Sequence, residues 1–115
     1  GTRCAAITGG WVALTQATNL LLKNGKIKEN PIIEQIAAVS CGILGEEAIL
    51  DLDYNEDSNI STDANFVMNG SGGIIEVQAS AEKTLFTREE FDCLFDLADL
   101  GIKDLLLAQK SALKL

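Results

Sequence analysis

The way hydrophobic periodicity changes along the chain limits its fold more than any other feature. A helical period opens the sequence, a two-residue period fills the middle, and a helical period closes it. From Thr2 to about Lys23, Ile7, Trp11, Leu14 and Leu21 fall at the i, i+4, i+7, i+14 positions of one helix face. Ala6, Gly10, Ala13 and Ala17 make a second face of small residues. Two usable faces predict a helix packed between layers, with close backbone approach at Gly9-Gly10. Asn24-Gly25 is a stop signal.

Ile36 to Leu44 is apolar and β-branched and predicts a strand. Gly45-Glu46 predicts a turn, and Ala48 to Tyr54 the return strand. There Leu50, Leu52 and Tyr54 point one way, and Asp51, Asp53 and Asn55 the other. Glu56 to Thr62 is polar and predicts a loop. Asn65 to Asn69 and Ile74 to Ser80 predict a second hairpin around Gly70-Ser71-Gly72-Gly73. A second long helix is expected from Thr87 to about Leu113. Thr87 and Glu90 form its capping box, and Phe91, Leu94, Phe95, Ala98, Ile102 and Leu105 form its apolar stripe. Helix, strands, helix is the signature of an α+β fold: an antiparallel sheet covered by helices.

Composition removes several kinds of function. Hydrophobic residues make up 47% of the 115, ordinary for a globular chain, and no apolar run approaches the ~18 residues of a membrane span. The three cysteines, Cys4, Cys41 and Cys93, form no CxxC pair, and there is no histidine. The segment therefore does not read as a zinc site, and every histidine-based catalytic scheme within it is excluded. Scattered cysteines in odd number predict reduced thiols and a cytoplasmic setting. Nine basic residues against seventeen acids give a net charge of −8. A free-standing nucleic-acid-binding module should be basic, so the chain does not read as one. An RNA enzyme with its basic surface elsewhere stays open.

Two constellations carry chemistry. Gly1-Thr2-Arg3 stands immediately before the first helix. A helix start offers unpaired N–H groups and the positive end of the macrodipole. An Arg fork and a Thr hydroxyl added there suit a phosphate. The plainer alternative is a helix start with a solvated arginine. The second is the acidic run from Asp51 to Asp57, followed by Asp63. Carboxylates on a strand end and the following loop suit Mg²⁺, or a proton donor to a leaving oxygen. Here the alternative is an acidic strand edge that discourages aggregation. An EF-hand does not fit: its sixth position would be Glu56 rather than Gly, and its twelfth Thr62 rather than Glu. Gly70 to Gly73 joins two strands without a following Gly-Lys-Ser/Thr, so it is no P-loop. Glu76 and Gln78 share one strand face; an exposed sheet surface is the plainer reading, and a role near a site the alternative.

In order, these segments resemble one family. Gly1-Thr2-Arg3-Cys4-Ala5-Ala6-Ile7-Thr8-Gly9 is similar to the ribonuclease PH helix that begins GTRTAAITG. Residues 37–43 resemble its AAVSVGI strand, residues 50–58 its LDLDYxEDS segment, and Asp63-Ala64-Asn65 the DMN that follows. Residues 76–82 resemble EVQGTAE, and 86–90 resemble FSREE. Cys4 stands where Thr is usual and Ala64 where Met is usual; Ala79, Ser80 and Lys83 also depart.

The resemblance implies the C-terminal half, residues 1–115, of a single ribonuclease PH-like two-layer α+β domain, here incomplete. It implies a phosphate-dependent 3′→5′ exoribonuclease that trims tRNA 3′ ends and releases nucleoside diphosphates. It places phosphate binding on Gly1, Thr2 and Arg3, and catalysis and metal binding, with Mg²⁺ expected, on Asp57 and Asp63. Inorganic phosphate would be co-substrate, RNA the substrate, a homo-hexameric ring the assembly, and no membrane is involved. The upstream half would carry another phosphate-contacting Arg and most of the basic RNA surface, and the segment alone is expected to be inactive. Two alternatives stand beside this: a non-catalytic ring subunit of an exosome-like assembly, and an unrelated Mg²⁺-dependent hydrolase.

Overall fold

A computed structural model of the chain describes residues 1–51 and 59–114. Helix α1 spans Thr2–Lys23, strands β1 to β4 span Ile36–Leu44, Glu47–Leu50, Thr62–Asn69 and Ile74–Ala81, and helix α2 spans Arg88–Leu113. The strands form one antiparallel sheet in the order β2-β1-β3-β4. The α+β class expected from periodicity is the one found.

β1 is buried from Ala37 to Ile43, on both faces. Its odd-numbered side chains, Ala37, Val39, Cys41 and Ile43, meet Ala64, Phe66 and Met68 of β3 and Leu94, Ala98 and Ile102 of α2. Phe66 has no exposed surface and lies 5.7 Å from Phe95, edge to face, and 6.0 Å from Phe91. Ala38 and Val67 point the other way, against Cys4 and Ile7 of α1. Small residues in β1 let α1 come close on that side.

β2 pairs only with residues 41–44 of β1, so the rest of that edge needs other partners. It has them. The Thr8 hydroxyl accepts from the Ala38 N–H at 3.0 Å and donates to the Ala38 carbonyl at 3.2 Å. The buried Gln109 amide of α2 donates to the carbonyls of Ile36 and Thr8. The Asp51 N–H donates to the Ser40 carbonyl at 2.7 Å. Two helices and a turn thus complete the ladder that β2 leaves unfinished.

Four expectations need correction. In α1 the buried face is Cys4, Thr15 and Thr18, with Ile7, Thr8 and Trp11 half-buried, whereas Leu14 is 58% exposed and Leu21 43%. Threonine fits this face because its hydroxyl finds a partner: Thr8 at Ala38, and Thr15 at the Trp11 carbonyl. The small-residue face of Ala6, Gly10, Ala13 and Ala17 is exposed, and nothing comes within 4 Å of a side chain built at Gly9 or Gly10. Close approach occurs instead in α2, where a β-carbon on Gly101 would lie 2.8 Å from a Leu50 methyl. β2 ends at Leu50 rather than running on: Asp51 has φ 61°, the left-handed region that breaks extended backbone. β3 begins three residues earlier than expected, at Thr62, so Asp63 lies in a strand rather than ahead of it. The expected continuation of β2 through Tyr54, and most of the loop after it, lie outside the described residues.

The turns follow their sequences. α1 ends in a Schellman arrangement, with Gly25 at φ 70° and Lys26 N–H on the Leu21 carbonyl. The capping box of α2 is formed on both sides, Thr87 to Glu90 and back. Asn69 shapes the β3–β4 turn by accepting from Ser71 and Gly73.

Candidate active site

The site is built on the start of α1 and the sheet face beneath it. Gly1 is the N-cap and makes no side-chain cap, and the first turn contains no acidic residue. The Gly1 carbonyl accepts from Ala5, so the N–H groups of Thr2, Arg3 and Cys4 precede the first intrahelical bond. The first turn of α2 is different: Glu89 and Glu90 fill it with negative charge. An anion is therefore better accommodated at α1.

Antiparallel register fixes what faces this helix start. Ala38, Ser40 and Gly42 of β1 stand opposite Val67, Asn65 and Asp63 of β3, and these stand opposite Glu76, Gln78 and Ser80 of β4. Directly opposed residues share a sheet face. One polar face therefore carries Ser40, Asp63, Asn65, Glu76 and Gln78. The Arg3 guanidinium reaches across to it and donates from Nη2 to Glu76 Oε1 at 2.6 Å, both side chains about half exposed. The Cys4 thiol donates to Asn65 Oδ1 at 3.5 Å.

A cavity of about 540 Å³ opens beside the helix start, lined by Gly1, Ser40, Leu50, Asp51, Gly101 and Leu105 among others. Ser40 Oγ is buried with no hydrogen-bond partner among the described residues. Both it and Asp51 Oδ1 lie 3.6 Å from where a side chain on Gly1 would begin. Glycine at that position keeps the backbone open to them.

The electrostatics agree. Burial pushes the Cys4 thiol above its ordinary value; Arg3 opposes the shift, and the carboxylates of Asp63 and Asp51 reinforce it. Burial likewise pushes Cys41 up to about 12, with Cys4 and Asp63 adding to it. Asp63 and Asp51 thus exert their charge on the first turn of α1. Both shifts favour the thiol over the thiolate, which is the nucleophilic form.

Of the residues expected from sequence, Gly1, Thr2 and Arg3 stand together at the helix start and Asp63 lies on the sheet face before them. Asp57 lies outside the described residues. Among the described residues no group of three or more His, Cys, Asp or Glu side chains is placed to hold a metal ion. Sequence reasoning read Glu76 first as part of an exposed sheet face, with a role near a site as the alternative; the structure brings it, still half-exposed, to Arg3. The signal was present in the two-residue period, which puts Glu76 on the face of its cross-strand neighbours, but the β3–β4 register had to be known to use it.

Comparison with known proteins agrees with the motifs. The profile of the 3′ exoribonuclease family, domain 2, matches residues 34–99. Ribonuclease PH of Cereibacter sphaeroides is 58% identical over 113 residues, covering 98% of this chain and 48% of that protein. Ribonuclease PH of Caulobacter vibrioides is 54% identical over the same coverage. The chain spans about half the length of these curated relatives. Two solved structures share the fold: rice (Oryza sativa) Rrp46, with a TM-score of 0.63, 21% identity and coverage of 93% of this chain and 47% of that one; and the Archaeoglobus fulgidus exosome with RNA bound to the active site, with a TM-score of 0.60, 19% identity and coverage of 76% and 35%. The chain belongs to the ribonuclease PH family of 3′ exoribonucleases, whose second domain it carries.

Proposed function

We propose that the protein containing this chain is a phosphorolytic 3′→5′ exoribonuclease, and that the chain is the C-terminal half of its ribonuclease PH unit. The observation that carries the reading is the acid-free helix start, bearing Gly1, Thr2 and Arg3, set against the sheet face that holds Asp63. Inorganic phosphate would rest on the Arg3 guanidinium, the Thr2 hydroxyl and the first N–H groups of α1. Its oxygen attacks the phosphorus of the 3′-terminal phosphodiester. The bond from that phosphorus to the 3′ oxygen of the preceding nucleotide breaks. The terminal nucleotide leaves as a diphosphate, and the preceding 3′ oxygen takes up a proton.

Asp57 and Asp63 are the groups to supply that proton or to hold Mg²⁺. Mg²⁺ characteristically takes one or two carboxylates together with phosphate oxygens rather than a full protein cage. A site shared by Asp63, Asp57 and the substrate suits it, and the ion would supply charge neutralisation when bound. RNA as substrate, with tRNA 3′ ends the expected class, a hexameric ring and a cytoplasmic setting complete the reading. A ring subunit without chemistry has no need of Arg3 and Asp63 on one face.

In the full-length protein, Arg3→Ala is expected to raise the KM for phosphate about tenfold or more. Asp57→Asn is expected to lower kcat about a hundredfold. Unchanged kinetics in either variant would remove that residue from the site.

A further inference from the structure

We infer that Glu76 is a positioning residue for phosphate, holding the Arg3 guanidinium in its binding orientation before the anion arrives. The inference rests on the phosphate reading of Arg3. Glu76 belongs to β4 and is paired with Val67, so the sheet sets where its carboxylate stands. Arg3 belongs to the first turn of α1, and its side chain has no such frame of its own. The 2.6 Å contact ties the two together across the gap between helix and sheet.

The geometry of the contact favours positioning over competition. Glu76 takes one guanidinium nitrogen, Nη2, through one oxygen, Oε1. Arginine carries five N–H donors in a planar fork, so Nε and Nη1 stay available to a second anion. A carboxylate that took the fork with both oxygens would leave less of it to phosphate. Bound by one corner, the guanidinium is directed toward the sheet face while the rest of its fork is left open. An anion that meets an arginine already ordered does not have to supply the cost of ordering it.

The test uses the full-length protein in phosphate titrations of RNA shortening, with Glu76→Ala, Glu76→Gln, Arg3→Ala and the double variant Arg3→Ala/Glu76→Ala. Glu76→Ala is expected to raise the KM for phosphate about fivefold, the size of one net hydrogen bond, with the effect on KM and not on kcat. Glu76→Gln keeps an acceptor at the same place and should recover part of the loss. In the Arg3→Ala background, removing Glu76 should add nothing further. An unchanged or lowered KM in both Glu76→Ala and Glu76→Gln would overturn the proposal, the lowered value marking Glu76 as a competitor. If Glu76→Ala fails to fold, Glu76→Ser, too short to reach Arg3, decides by the same criterion. Should the unsubstituted protein shorten RNA equally without phosphate, the phosphate reading itself falls. Should Arg3→Ala raise KM while Glu76 variants do not, only the role of Glu76 falls.

Discussion

At the scale of single residues, the site depends on where charge is absent as much as on where it is present. The first turn of α1 has no acid, while Asp51, Asp63 and Glu76 surround it from the turn and the sheet. The cysteines show the same local logic. Cys4 and Cys41 are buried and kept neutral, and Cys93 is exposed on α2. Of these three, Cys93 is expected to react first with a thiol reagent in the native protein, with Cys4 and Cys41 modified only on unfolding. Peptide mapping after timed alkylation checks this, and early modification of Cys41 would contradict it. The raised Cys41 value also fixes a pH dependence. Its folded value, about 12, lies above the ordinary 9.0, so its contribution to stability is complete below pH 9 and is lost as pH rises from 9 toward 12. Cys41→Val should flatten the alkaline limb of a stability profile across that window.

At the scale of elements, the helices do more than cover a sheet: they finish it. The Thr8 hydroxyl serves both the N–H and the C=O of Ala38. Thr8→Val keeps the shape and removes both bonds, and should cost about 1–3 kcal/mol in denaturant unfolding of the full-length protein. A loss below a few tenths would mean that water replaces the hydroxyl. In α2 the tight point is Gly101 against Leu50. Gly101→Ala alone should destabilise, but in a Leu50→Ala background it should stabilise by up to about 1 kcal/mol through helix propensity. Additive effects in this double-mutant cycle would contradict the contact.

Much of this was legible in sequence, and the failures have physical causes. α2, its capping box and its stripe were legible because a long amphipathic period and a cap are local signals. β1 was legible as a run of small and β-branched residues. The face of α1 was misread because leucine outranks threonine in any hydrophobic count, whereas here Thr15 and Thr18 are buried and the half-buried Thr8 gives its hydroxyl to the Ala38 backbone of β1. The early end of β2 was missed because the alternation through Asp51 continues in sequence after the backbone has turned. Gly1, Thr2, Arg3 and Asp63 were found as motif residues. Glu76 and Ser40 needed the register.

At the scale of the whole molecule, the chain is drawn out. Its radius of gyration is 16.3 Å and its extents are 54 × 25 × 20 Å, against roughly 13 Å expected for a compact domain of this length. Leu14, Leu20 and Leu21 on α1, and Ile74, Ile75 and Val77 on β4, are 40–58% exposed. An edge strand and a helix face of this kind are normally covered. These features, with coverage of about half of each curated relative, support the reading of the chain as one half of a larger unit. No helix among the described residues is long and apolar enough to cross a membrane. Neither the hydrophobic faces nor the −8 charge is thus the finished surface of the proposed enzyme.

The most direct test of the central claim is to incubate the full-length protein with RNA labelled at its 3′-terminal nucleotide, with and without inorganic phosphate, and to identify the released label. Release as nucleoside diphosphate, only when phosphate is present, is the predicted result. Equal release in phosphate-free buffer, as nucleoside monophosphate, would contradict it.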